Sequence, residues 1–112
     1  MINPLTEQLI SAGYKKHKDY FKYTMFYQKR VDDDQGKKYF VNVYEYDFSN
    51  YPNYKDNPKV IYEVHLDFVD KQNEPIRIQF AASDNLNEIE ERCEHLFNVL
   101  ECQHYEYEEE YT

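Results

Sequence analysis

The cleanest alternation in the chain runs from residue 60 to residue 68. Val60, Tyr62, Val64, Leu66 and Phe68 fall on one side, and Glu63, His65 and Asp67 on the other. A period of two is the mark of a half-buried strand, because successive side chains of an extended chain point to opposite faces. The same period recurs before and after this segment. Phe21, Tyr23, Met25, Tyr27 and Val31 alternate with Lys22, Thr24, Gln28 and Arg30, a further strand runs from about Lys37 to Phe48, and Ile76, Ile78 and Phe80 mark a fourth. Asp32-Asp33-Asp34-Gln35-Gly36 and the segment from Asp70 to Pro75 carry turn residues, with Gly36 free to take a positive φ. Residues 49–58 form a polar loop punctuated by Pro52 and Pro58. No helical period interrupts the four strands, so an antiparallel meander is expected.

The period changes at both ends of the chain. Pro4 suits a first helical turn with Asn3 as N-cap, Gly13 suits a stop, and Leu5, Leu9, Ile10 and Ala12 form a stripe between them. After Phe80, one of Ser83, Asp84 or Asn85 caps a longer helix, and Asn85 with Glu88 has capping-box spacing. Leu86, Ile89, Cys93, Leu96, Phe97 and Leu100 then recur on one helical face, which must be buried against the sheet. The expected fold is α+β: a four-stranded antiparallel β-meander with a long C-terminal helix packed on one face and a short N-terminal helix, in the order α-β-β-β-β-α. It forms a single domain over residues 1–102. Residues 103–112 read as an acidic Tyr/Glu tail, either disordered or an extra edge strand.

Composition narrows the chemistry. The chain has 112 residues with 13 Tyr and 7 Phe, enough to bury a core in one domain. Its only glycines are Gly13 and Gly36, so no phosphate-cradling loop can be built. The start, Met1-Ile2-Asn3-Pro4-Leu5, lacks the basic and apolar segments of a secretion signal, and no apolar run approaches a membrane span. A cytoplasmic protein without membrane contact is expected. Cys93 and Cys102 point to opposite sides of one helix and are read as free thiols, Cys93 packed on the apolar stripe.

No catalytic or metal pattern stands out. A calcium loop starting at Asp32 would place Lys37 where glycine is required and Val43 where glutamate is required. His17, His65, His95 and His104 have no zinc-ligand spacing, and Glu91, His95 and Cys102, near one side of the second helix, would need at least one more ligand from elsewhere. No metal, no cofactor and no enzymatic activity are expected.

Charge and aromatic residues point to binding instead. Residues 1–83 hold 12 acids and 12 bases, whereas residues 84–112 hold 10 acids against Arg92, which accounts for the formal net charge of −9. Glu90, Glu94 and Glu101 share one flank of the second helix, with carboxylates spaced on the scale of nucleic-acid phosphates. Together with Tyr105, Glu106, Tyr107, Glu108, Glu109 and Glu110 they form a candidate surface for a basic groove, tyrosine adding apolar anchoring. Direct nucleic-acid binding is not expected, since Lys15, Lys16, Lys18, Lys22, Lys29 and Arg30 are offset by the acidic end. A second candidate is the other face of the sheet. There Phe40, Tyr44, Tyr46 and Phe48 gather with Phe26, Ile61 and Val69, to be covered by the first helix or by residues 49–58, or used in a homodimer or partner interface.

In size, acidity and helix–meander–helix plan, and in the stretch Gly36-Lys37-Lys38-Tyr39-Phe40-Val41-Asn42-Val43-Tyr44-Glu45-Tyr46-Asp47, the chain resembles small acidic proteins encoded by phages and mobile elements. The resemblance extends to anti-defence inhibitors of the anti-CRISPR kind. It implies a non-catalytic inhibitor, working in the host cytoplasm, that engages a basic, nucleic-acid-binding surface of a host protein. The alternative is a homo-oligomeric structural or accessory protein joined through the aromatic second face.

Overall fold

The computed structural model describes residues 4–19, 24–34, 36–47 and 60–111, with side chains from Leu5 to Leu100 within those ranges. It is an α+β fold with two helices and a five-stranded antiparallel sheet. The elements are α1 (Pro4–Ser11), β1 (Lys15–Asp19), β2 (Thr24–Asp32), β3 (Lys38–Asp47), β4 (Val60–Val69), β5 (Pro75–Ala81) and α2 (Leu86–Tyr111). Strand order follows chain order, each strand pairing with the next.

The expected meander of four strands is therefore one strand short. The additional strand, β1, pairs with β2 from Lys15 opposite Gln28 to Asp19 opposite Thr24. Its sequence, Lys-Lys-His-Lys-Asp, has no apolar residue and hence no alternation to detect. It lies at the sheet edge with little to bury, and a lysine-rich edge strand resists pairing with other chains. The four expected strands appear as β2 to β5. Phe21, Tyr23, Phe48, the Asn3 cap and residues 49–58 lie outside the described residues.

Alternation assigns one half of each strand to the helix side. Tyr27, Tyr39, Val41, Val43, Tyr62, Val64, Leu66 and Phe68 are buried there, in one core with Leu5, Leu9, Leu86, Ile89, Cys93 and Phe97. The Phe97 ring lies 5.0 Å from those of both Tyr39 and Phe68, edge-on to the latter. Each such fully buried side chain contributes roughly 1.5–3 kcal/mol of transfer free energy. Cys93 is fully buried as expected, and burial raises its thiol pKa from 9.0 to about 12, which leaves it unreactive.

Both helices lie on this face. Gly13 (φ +82°) ends α1, with Tyr14 N–H donating to Leu9 C=O at 3.0 Å and Gly13 N–H to Ile10 C=O at 3.1 Å, a Schellman stop. α1 is fastened to the sheet between the Thr6 and Tyr62 hydroxyls. Gln8 ties it to the start of α2, its Oε1 accepting from Leu86 N–H at 2.9 Å and its Nε2 donating to Asp84 C=O at 2.8 Å. Asn85 is the N-cap, its Oδ1 accepting from Asn87 N–H at 2.9 Å and Glu88 N–H at 3.4 Å. α2 then continues as helix to Tyr111, through the residues read as a tail or an edge strand.

Candidate partner-binding surfaces

The strand register arranges the second face in rungs. One runs Phe26–Tyr44–Glu63–Ala81, the next Gln28–Asn42–His65–Gln79 and the next Arg30–Phe40–Asp67–Arg77, beyond which lie the pairs Asp32–Lys38 and Val69–Pro75. Among the described residues no helix or strand lies across this face. α1, one of the two covers expected for it, packs beside α2 on the opposite side.

An aromatic stack begins on β1, follows the first of these rungs to Tyr44 and crosses diagonally to His65 in the next. His17 stacks on Phe26 at 5.2 Å, Phe26 on Tyr44 at 4.8 Å and Tyr44 on His65 at 4.2 Å, with Tyr46 6.3 Å from Tyr44. Such pairs contribute about 0.5–1.5 kcal/mol beyond the area they bury. Burial raises the phenol pKa of both Tyr44 and Tyr46, with Asp19 adding to the first and Glu63 to the second.

A polar relay crosses four strands beside it. Gln28 Nε2 donates to Asn42 Oδ1 at 2.8 Å, Asn42 Nδ2 donates to Asp67 Oδ2 at 2.6 Å, and Arg77 Nε donates to Asp67 Oδ1 at 2.6 Å. His65, expected on the solvated side, is instead only 1% exposed; its Nε2 lies 2.6 Å from Glu63 Oε1 and its Nδ1 has no hydrogen-bond partner among the described residues. The alternation places His65 and Asn42 on the correct face. It carries no signal that lateral neighbours would bury them.

Towards the Lys38 end the face opens. Phe40 is 38% exposed and Val69 59%, and farther along the face Ile61 is 40% exposed. Around Phe40 and Val69 lies a groove of about 890 Å³, bordered by Arg30, Lys38, Asp67 and Arg77. Arg30 is paired with Asp32 at 2.9 Å and Arg77 with Asp67, whereas Lys38 has no ion-pair partner among the described residues. The groove is thus apolar at its centre, with Lys38 the rim cation left unpaired among the described residues. Of the residues expected as an oligomer interface, Phe40, Tyr44 and Tyr46 share this face, and Phe48 lies outside the described residues.

The acidic flank of α2 is differently placed. Glu90 Oε2 is 3.0 Å from Lys29 Nζ on β2, and Glu94 Oε1 is 2.5 Å from Lys37 Nζ in the β2–β3 turn. The Glu94 hydrogen bond raises the Lys37 pKa. Two of the three flank glutamates therefore fasten the helix to its own sheet. Charge summed along the sequence could not reveal this, because the lysines come from segments that are remote in the chain. Glu101, Tyr105, Glu106, Tyr107, Glu108, Glu109 and Glu110 belong to the last part of α2, and their side chains lie outside the described residues.

Family models, curated proteins and solved structures offer no match to this chain. Among the described residues no group of three His, Cys, Asp or Glu side chains could hold a metal ion. Among the described residues no helix is long and apolar enough to cross a membrane.

Proposed function

We propose that the chain is a non-catalytic protein-binding module that docks through the second face of its sheet. The observation that carries this reading is the groove around Phe40 and Val69, an apolar centre between cationic side chains, on a face with no helix or strand across it among the described residues. The complementary partner surface is a protein segment that offers an apolar side chain flanked by carboxylates. Tyrosine and phenylalanine on strands suit such a role, because they present contact area at small entropic cost on a rigid support. The test is capture of partners by the wild-type chain, by Phe40→Glu and Val69→Glu together, and by a chain ending after Cys102. Partners lost with the double variant and kept by the truncated chain support the reading. Partners kept by the double variant sink it.

A second reading rests on the acidic end. Glu108, Glu109 and Glu110 stand in the last turn of α2, which contains no basic residue. Carboxylates are disfavoured at this negative pole of a helix, and a cationic partner would relieve them. In this reading the chain is an inhibitor of the phage-encoded type, seated in a basic, nucleic-acid-binding groove of a host protein. Its complex would weaken steeply with salt and be lost on truncation after Cys102. Complex formation indifferent to both changes removes it.

A further inference from the structure

We propose that the outer edge of β5 pairs antiparallel with β5 of a second copy, across a two-fold axis at Ile78. The sheet has two outer strands of opposite chemistry. β1 reads Lys15-Lys16-His17-Lys18-Asp19, and self-pairing about His17 would set Lys16 opposite Lys18 on both sides of the axis. Like charges directly opposite one another oppose such pairing.

β5 lacks that protection. From Pro75 to Ala81 its single charge is Arg77, and among the described residues no strand lies outside it. Antiparallel self-pairing centred on Ile78 sets Ile76 opposite Phe80, Arg77 opposite Gln79 and Ile78 opposite itself. Apolar residues meet on the helix side, and no like charges meet on the second face. The outward backbone groups of Arg77 and Gln79 gain ladder hydrogen bonds in this way, Pro75 having no N–H to donate, and a two-fold interface closes on itself instead of growing.

The layer above the strand has the same asymmetry. Ile76, Ile78 and Phe80 are only half-buried at the rim of the core. The Arg92 guanidinium lies 4.3 Å over the Phe80 ring, so this flank of α2 faces β5. Leu96 and Val99, four and seven residues further along, share that flank, and Val99 is 38% exposed. The opposite flank is closed by the Lys29–Glu90 and Lys37–Glu94 ion pairs. A two-fold axis perpendicular to the sheet keeps both helix layers on one side, so the half-buried rims of two copies merge into one apolar layer. The second face of each copy stays open around Phe40 and Val69, while Arg77 at the groove's rim belongs to both surfaces.

Sedimentation of the full chain across micromolar concentrations tests the proposal, with variants at Gln79, an exposed position whose replacement spares the core. The wild type should sediment at twice the monomer mass. Gln79→Arg sets arginines opposite one another on both sides of the axis and should weaken dimerisation about tenfold or more, whereas Gln79→Glu, opposite Arg77, should tighten it. A monomer at all concentrations overturns the proposal. So does a dimer that ignores both substitutions, or one dissolved by Phe40→Glu instead, which would move the interface to the second face.

Discussion

On the helix side of the central strands, Val41, Val43, Val64 and Leu66 are sealed beneath α1 and α2 and have only apolar neighbours to satisfy. One residue along the same strands, Asn42, Tyr44, His65 and Asp67 face the other way. They are held by ring stacking and hydrogen bonds running sideways across the sheet, and by the His65–Glu63 contact along β4. The first face derives its stability from a covering layer. The second draws on its neighbours within the layer, and towards one end it leaves Phe40 and Val69 open. The difference shows that burial alone does not distinguish a core from a surface built to bind, since the second face contains both buried and exposed residues in adjacent rungs.

The sharpest way to break this comparison is to remove volume from the helix face. Leu66→Ala should cost about 2–5 kcal/mol in urea unfolding, because the fully buried site cannot collapse around the lost atoms. A cost under about 1 kcal/mol would mean that the helices do not seal that face.

The helix face should also respond to alkali. Burial raises the Cys93 pKa from 9.0 to about 12 and the Tyr39 pKa from 10.0 to about 12. The folded state favours the protonated forms, so their contribution is complete below pH 9.0 and is lost as pH rises towards about 12. Unfolding midpoints should fall through that window, less steeply in Cys93→Ala. An unchanged slope in the variant would exclude the thiol as a source.

On the second face, Asn42→Ala leaves Gln28 and Asp67 without their shared partner and should cost about 1–3 kcal/mol, a smaller loss than in the core. Phe40→Ala, two residues earlier on the same face, should change stability by less than about 0.5 kcal/mol while removing partner capture. A large stability loss at Phe40 would make it part of the framework and erase the distinction.

Much of this architecture is legible in the chain. Period-two runs over Val60–Phe68 and the 3.6-residue period from Leu86 to Leu100 suffice for strands, helices and the core list, because periodicity is a direct consequence of one-sided burial. β1 escaped detection for the same reason, since a strand with nothing to bury has no period. The site was only partly legible. Phe40, Tyr44 and Tyr46 stand out as aromatic residues on the polar half of an alternating strand, but whether a helix covers them depends on packing. The acidic flank was visible as composition, yet Glu90 and Glu94 are matched to Lys29 and Lys37 by contacts across 61 and 57 residues of chain.

Taken alone, the sequence determines an antiparallel α+β chain, its helix caps, its hairpin turns and the two faces of each strand. These are local properties of backbone sterics and of the spacing of apolar side chains. Only the tertiary structure decides that both helices share one face, that His65 is buried by its neighbours, and that two glutamates of the acidic flank are already neutralised. Each of these depends on segments brought together by chain closure, and sequence spacing alone does not encode that proximity.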